Sequence, residues 1–156
     1  MATDVYRLIA QTQAAYARAI DADRLEEWPA FFADPCTYMI TTADSHREGL
    51  EAGLVFANSM GMLKDRVSAL REANIYERQS YRHILGAPFI ISEKAEVLES
   101  ETPFIVARIM RTGDTDLYVT GRYLDTYRIA DGTAKLNRRI VVCDSSRIDT
   151  LLAIPL

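Results

Sequence analysis

The stretch that decides the fold runs from Asp116 to Ala130, DLYVTGRYLDTYRIA, through Asp131-Gly132 and on to Ser145 as TAKLNRRIVVCDS. Its apolar residues recur every second position, which is the period of a strand with one buried face. Leu117, Val119, Tyr123, Tyr127 and Ile129 share one face; Tyr118, Thr120, Arg122 and Arg128 share the other. Asp-Gly between two such runs suits the tight turn of an antiparallel hairpin, because both central positions take positive φ.

Working outward, Arg82 to Ser92 and Ala95 to Thr112 read as two further long strands, with Gly113-Asp114 as the second break. These four candidates run to between 11 and 18 residues, well beyond the common length of about 5 to 6. Strands that long must curl, and Gly86 and Gly121 are placed to bend them. Upstream the period changes. Val5, Leu8, Ile9, Thr12, Tyr16 and Ile20 follow helical spacing, with Thr3 or Asp4 as cap. A short helix is expected over Ala22 to Phe32, ending before Asp34-Pro35. A strand follows from Cys36 to Thr42, and a helix from Ser59 to Ala73 carries Leu63, Val67 and Leu70. Helices followed by a meander give an α+β order. The expected product is an NTF2-like cone over residues 1–156 as one domain: a strongly curved, mostly antiparallel sheet with the N-terminal helices packed across its concave side. That architecture serves both small enzymes and non-catalytic association subunits.

Composition narrows the choice. The chain has 156 residues, 49% hydrophobic and 26% charged, with a formal net charge of −4. A chain of this size builds a core without disulfides or a structural metal. No apolar run approaches about 18 residues, so no membrane span is expected, and MATDVYRLIAQ does not read as a signal peptide. An acidic balance without a basic block argues against nucleic acid as partner. Two Cys and two His, none at ligand spacing, do not write a zinc ribbon or an iron–sulfur site. The expected compartment is a reducing cytoplasm.

Acid–base chemistry in a cone needs polar residues facing inward, and Asp21, Tyr38, His83, Tyr123, Asp125 and Asp144 are the candidates. His83 beside Asp21 or Asp144 in an apolar pocket would suit a free-standing isomerase, dehydratase or cyclase. The other reading makes His83 an interface or hydrogen-bonded strand residue, and gives Asp125 and Asp144 to nearby Arg side chains or turn amides. A small-ligand binding module in the same cavity is a third reading. Cys36 and Cys143 read as buried strand residues, with no nucleophile elbow and no phosphate loop in the chain. A mononuclear iron site on His46 and His83 has no support from spacing.

Of the 18 cations 15 are Arg. Arg is preferred at interfacial ion pairs because its planar fork holds a carboxylate bidentately, although Arg in place of Lys throughout a chain also follows from GC-rich coding. The alternating charges of Asp65-Arg66, Arg71-Glu72, Glu77-Arg78 and Arg82 suit a salt-bridged subunit contact.

Met62 to Gly86, MLKDRVSALREANIYERQSYRHILG, carries a D-R-V-x-x-L helix (Asp65, Arg66, Val67, Leu70) and an S-x-R-H strand start (Ser80, Arg82, His83). With the RRIVVCDS strand at Arg138 to Ser145 and the apolar stretch Leu151 to Leu156, it resembles the small (beta) subunits of aromatic-ring-hydroxylating dioxygenases. The resemblance implies a mainly structural subunit that assembles with a large (alpha) oxygenase subunit as an α3β3 hexamer. The alpha subunit would hold a Rieske 2Fe–2S cluster and a mononuclear Fe(II), with electrons from NAD(P)H through a reductase. It implies cis-dihydroxylation of terephthalate or a related aromatic carboxylate by the complex, and no catalytic, cofactor or metal residues in this chain. Arg66, Arg71, Arg78, Arg82 and His83 are the expected interface residues, with Tyr76 and Tyr81 as aromatic anchors.

Overall fold

The computed structural model describes residues 4–49, 53–72, 79–147 and 154–156. Helix α1, Val5–Asp21, starts where the Asp4 side chain accepts from the Arg7 N–H, and it buries Ile9, Gln13, Tyr16, Ala17, Ala19 and Ile20. The helix expected over Ala22 to Phe32 is instead a 3-10 helix, Leu25–Phe31, because Pro29 lies inside it and lacks an N–H for a continuing ladder. Strand β1, Phe32–Thr42, begins four residues before the expected Cys36 and includes Pro35. Its register shifts between Phe32 and Thr37, where the proline cannot donate.

Two short elements follow, α2 (Ala43–Arg47) and β2 (Val55–Ala57). Helix α3, Met60–Glu72, buries Leu63, Val67 and Leu70, the three positions its periodicity predicts. The single strand expected over Arg82 to Ser92 is two, β3 (Gln79–Leu85) and β4 (Phe89–Lys94). They part at Gly86, where a Cβ would lie 2.6 Å from Pro103 Cγ. Then come β5 (Val97–Met110), β6 (Thr115–Ala130) and β7 (Thr133–Cys143). Asp131 and Gly132 both take positive φ, as the Asp-Gly turn requires.

The strand order is β2-β1-β7-β6-β5-β3, with β4 also on β5; β1–β7 is parallel and the other pairings are antiparallel. Alternation in β6 buries Val119, Gly121, Tyr123, Asp125 and Tyr127 on the side that packs with α1. Leu117, expected on that face, is 68% exposed. The β5–β6 register shifts there, with Val106 opposite Val119 and Ala107 opposite Leu117, and one extra residue reverses every face beyond it. Tyr118 accordingly stacks on Tyr81, with centroids 5.4 Å apart. Gly121 permits a close approach, since a Cβ would sit 2.3 Å from the Val142 carbonyl oxygen.

Candidate functional site

The polar residues expected inside the cone fall into three groups. The first joins the end of α1 to β3. Asp21 Oδ1 lies 2.6 Å from His83 Nδ1, and Asp21 Oδ2 accepts the His83 main-chain N–H at 2.8 Å. The side chains are 5% and 0% exposed. His83 Nε2 has no hydrogen-bond partner. The Asp21–His83 pair expected of a proton-transfer site is therefore present, but its carboxylate also holds a main-chain amide. Asp144 lies elsewhere, accepting from the Thr120 hydroxyl at 2.8 Å.

The second group fills the middle of the cone. Arg139, 1% exposed, gives Nε and Nη2 to the two oxygens of Asp125, each at 2.8 Å. Its guanidinium lies 4.3 Å from the Tyr16 ring centroid and 3.9 Å from that of Tyr123. The Tyr127 hydroxyl donates to Asp125 Oδ2 at 3.3 Å, and Gln13 Nε2 donates to Thr102 Oγ1 at 2.9 Å. Burial pulls against the Arg139 charge, but Asp125 outweighs it and holds the guanidinium proton more tightly than usual. Burial drives the phenols of Tyr16, Tyr123 and Tyr127 upward, so all three keep their protons. Asp125 thus meets an Arg side chain, as one reading of the sequence had it, and Arg139 is the partner that reading did not name. Its signal was its spacing from Val141 and Cys143, which share its face.

The third group seats Ile154–Leu156 against aromatic residues. A main-chain oxygen of Leu156 accepts from the Tyr16 hydroxyl at 2.9 Å and the Tyr38 hydroxyl at 3.1 Å. Trp28 Nε1 donates to the Tyr16 hydroxyl at 2.8 Å.

The interface candidates are scattered. Arg82 is exposed, with Nη1 3.8 Å from Asp21 Oδ2, and Arg66 is half-buried on α3. Arg71 is engaged within the chain, its Nε 2.7 Å from Glu26 Oε1 and its Nη1 3.0 Å from Asp23 Oδ1. Tyr81 and His83 are inside the cone rather than on its surface, because alternate residues of β3 face α1. Tyr76 and Arg78 lie outside the described residues.

Among the described residues no group of three or more His, Cys, Asp and Glu is placed to hold a metal. His46 is exposed on α2 while His83 is buried against Asp21, so the chain's two histidines do not converge. Cys36 and Cys143 are free and buried, in β1 and β7. This donor set fits neither a Rieske cluster, which takes two Cys and two His, nor a two-histidine iron site. No described helix is long and apolar enough to cross a membrane.

The profile described as "Ring hydroxylating beta subunit" matches residues 15–150. The chain belongs to the ring-hydroxylating beta subunit family. Subunit beta 2 of the terminal oxygenase component of terephthalate 1,2-dioxygenase from Comamonas sp. is 55% identical over 148 residues, covering 95% of this chain and 96% of that one. The anthranilate 1,2-dioxygenase small subunit of Burkholderia cepacia is 37% identical over 145 residues, 92% of this chain and 89% of the other. Among solved structures, the beta subunit of an aromatic-ring-hydroxylating dioxygenase from Novosphingobium aromaticivorans superposes with a TM-score of 0.90 at 36% identity, covering 97% of both chains. This beta subunit is accordingly one component of a dioxygenase, and a free-standing enzyme built on Asp21 and His83 is not the favoured reading.

Proposed function

We propose that this beta subunit is the structural, non-catalytic half of the terminal oxygenase of a ring-hydroxylating dioxygenase acting on terephthalate or a related aromatic carboxylate. The observation that carries the reading is the end-to-end 55% identity with a terminal oxygenase subunit named for terephthalate. In this reading a large alpha subunit carries the Rieske cluster and the mononuclear iron, and a reductase delivers electrons from NAD(P)H. Three beta subunits support three alpha subunits in an α3β3 hexamer, in the cytoplasm. The packed interior fits a scaffold: Arg139, Asp125, Tyr16 and Tyr123 are buried against one another in its middle. The exposed Arg82 and half-buried Arg66 are the candidate contacts for the alpha subunit, joined by Arg78 and Tyr76.

Co-expression with the alpha subunit tests the proposal. The expected result is a complex of hexameric mass that turns over terephthalate when reductase and NAD(P)H are supplied, with the beta chain alone inactive. An alpha subunit that assembles and turns over fully without this chain would overturn it. Turnover of a small ligand by the purified beta chain, lost in His83→Ala, would favour the isomerase or dehydratase reading instead.

A further inference from the structure

Where α1, the 3-10 helix Leu25–Phe31 and the start of β7 meet, the flank of the cone carries an open hollow of about 370 Å³, within the size range of small-molecule sites. One part of its lining is apolar: Ala15 of α1, with Ala30 and Phe31 of the 3-10 helix. The other part is charged, with Arg18, Arg24 and Lys135 against Glu27. In a chain whose formal net charge is −4, three cations to one carboxylate is a local reversal of sign. A concave surface concentrates such a field toward anions.

The chain's own packing holds both parts in place. The Phe31 ring meets Tyr16 edge-on, with centroids 5.5 Å apart and planes at 68°, and the buried Leu25 and Trp28 anchor the 3-10 helix that carries it. Lys135 Nζ donates to the Ala30 main-chain oxygen, which fixes the ammonium beside the apolar part and leaves it two further N–H donors. Arg24 Nη1 lies 3.1 Å from Glu27 Oε2, so the one carboxylate of the lining is already matched. Arg18, exposed in the last turn of α1, adds a second guanidinium. The surplus is two positive charges beside an aromatic ring and two methyl groups.

A ligand that suits this division carries a carboxylate on a flat apolar ring. A bare inorganic anion leaves the apolar part wet, and a neutral ring leaves the cations unmatched. We infer that the hollow binds an aromatic carboxylate, its ring against Phe31 and its carboxylate toward the guanidinium and ammonium groups. The inference concerns binding by this chain and stands whether or not the subunit reading holds.

The test is a titration of the isotope-labelled full chain with benzoate at low salt, followed through the amide resonances of Phe31 and Lys135. Benzamide keeps the ring without the charge, and acetate and inorganic phosphate keep the charge without the ring. Benzoate is expected to shift both resonances saturably and to bind at least about tenfold more tightly than each of the other three. Arg18→Gln should weaken benzoate about threefold or more, and Arg18→Gln with Lys135→Gln about tenfold or more. Arg47→Gln, at an exposed arginine of α2, should change nothing. The absence of a saturable shift overturns the proposal. So does equal binding of benzoate and any comparison probe, or an Arg47→Gln chain weakened as much as Arg18→Gln. Tetraglutamate that saturates the same resonances while benzoate leaves them unmoved would give the hollow to an acidic protein partner and likewise overturn it. If the double variant does not fold, Arg18→Gln alone decides, since that side chain is exposed.

Discussion

Asp21 accepts two hydrogen bonds from one residue, the His83 main-chain N–H and the His83 ring Nδ1–H. Strand β3 ends the sheet at this side, and an edge strand presents unpaired amides that invite another chain. A carboxylate from the last turn of α1 satisfies one of those amides and clamps the helix to the edge. Asp21→Ala leaves both donors buried without an acceptor, and the expected loss is about 2–4 kcal/mol in urea unfolding. Asp21→Asn keeps an acceptor for the amide and should lose less than half as much. Equal losses would mean that the amide bond contributes nothing.

The Arg139–Asp125 pair makes a different prediction. Removing one partner of a buried pair leaves an uncompensated charge, so Arg139→Met should cost about 3–5 kcal/mol. Replacing both, as Arg139→Met with Asp125→Leu, should recover most of that loss, because apolar side chains of similar volume restore packing between Tyr16 and Tyr123. A double variant as unstable as the single one would show that the cation–π contacts, rather than the charge pairing, dominate.

How much of this was legible in the sequence depends on the range of the interaction. The Asp131-Gly132 turn and the Leu63, Val67 and Leu70 face of α3 follow from local chemistry, and the structure has both. The parallel pairing of β1 with β7 is not local, and β2 and α2, at three and five residues, are too short to show a period. Leu117 failed for a subtler reason: a one-residue bulge leaves composition unchanged and reverses the faces beyond it. Asp21 and His83 were candidates for proximity, but the second bond, to the backbone, depends on β3 lying at the edge. Arg139 was hidden because an arginine in a strand reads as a solvent residue unless the apolar face around it is followed through Val141 and Cys143.

The Arg71 clamp should be sensitive to pH and salt. Its hydrogen bonds, with help from the Glu26 backbone, hold the Glu26 carboxyl down to about 2 from the ordinary 4.5. A carboxyl whose folded pKa is depressed contributes stability above its unfolded pKa and loses it as pH falls through the folded value. The contribution should therefore be complete above about pH 5 and fade between about pH 4.5 and 2. Arg71→Met should be destabilised at pH 7 but match the parent near pH 2. Because Glu26 and Asp23 are exposed, raising the salt should shrink the difference at pH 7. A difference that is the same at both pH values would assign the role of Arg71 to packing.

Ala95, between β4 and β5, has φ of 54°, a conformation in which a Cβ crowds the following carbonyl. Glycine removes that crowding and adds some unfolded-state entropy. Ala95→Gly should raise stability by about 0.5–1 kcal/mol, read from the midpoint of chemical unfolding at constant slope. A loss of stability would show that the alanine methyl has a packing role that outweighs its backbone strain.

The two cysteines should be silent in the native chain. Burial, reinforced by Asp144, pushes the Cys143 thiol up to about 12, and burial with Asp34 raises Cys36 as well. The thiolate is the reactive species, so at pH 8 each thiol is both mostly protonated and enclosed. Treatment of the folded chain with a disulfide reagent such as DTNB should label neither at an appreciable rate, and unfolding in guanidinium should release two equivalents at once. Cys36, held in β1 near the Pro35 irregularity, should be the first to react if local opening precedes global unfolding. A Cys143 that reacts in native buffer faster than Cys36 would place the weakest part of the sheet at β7 instead.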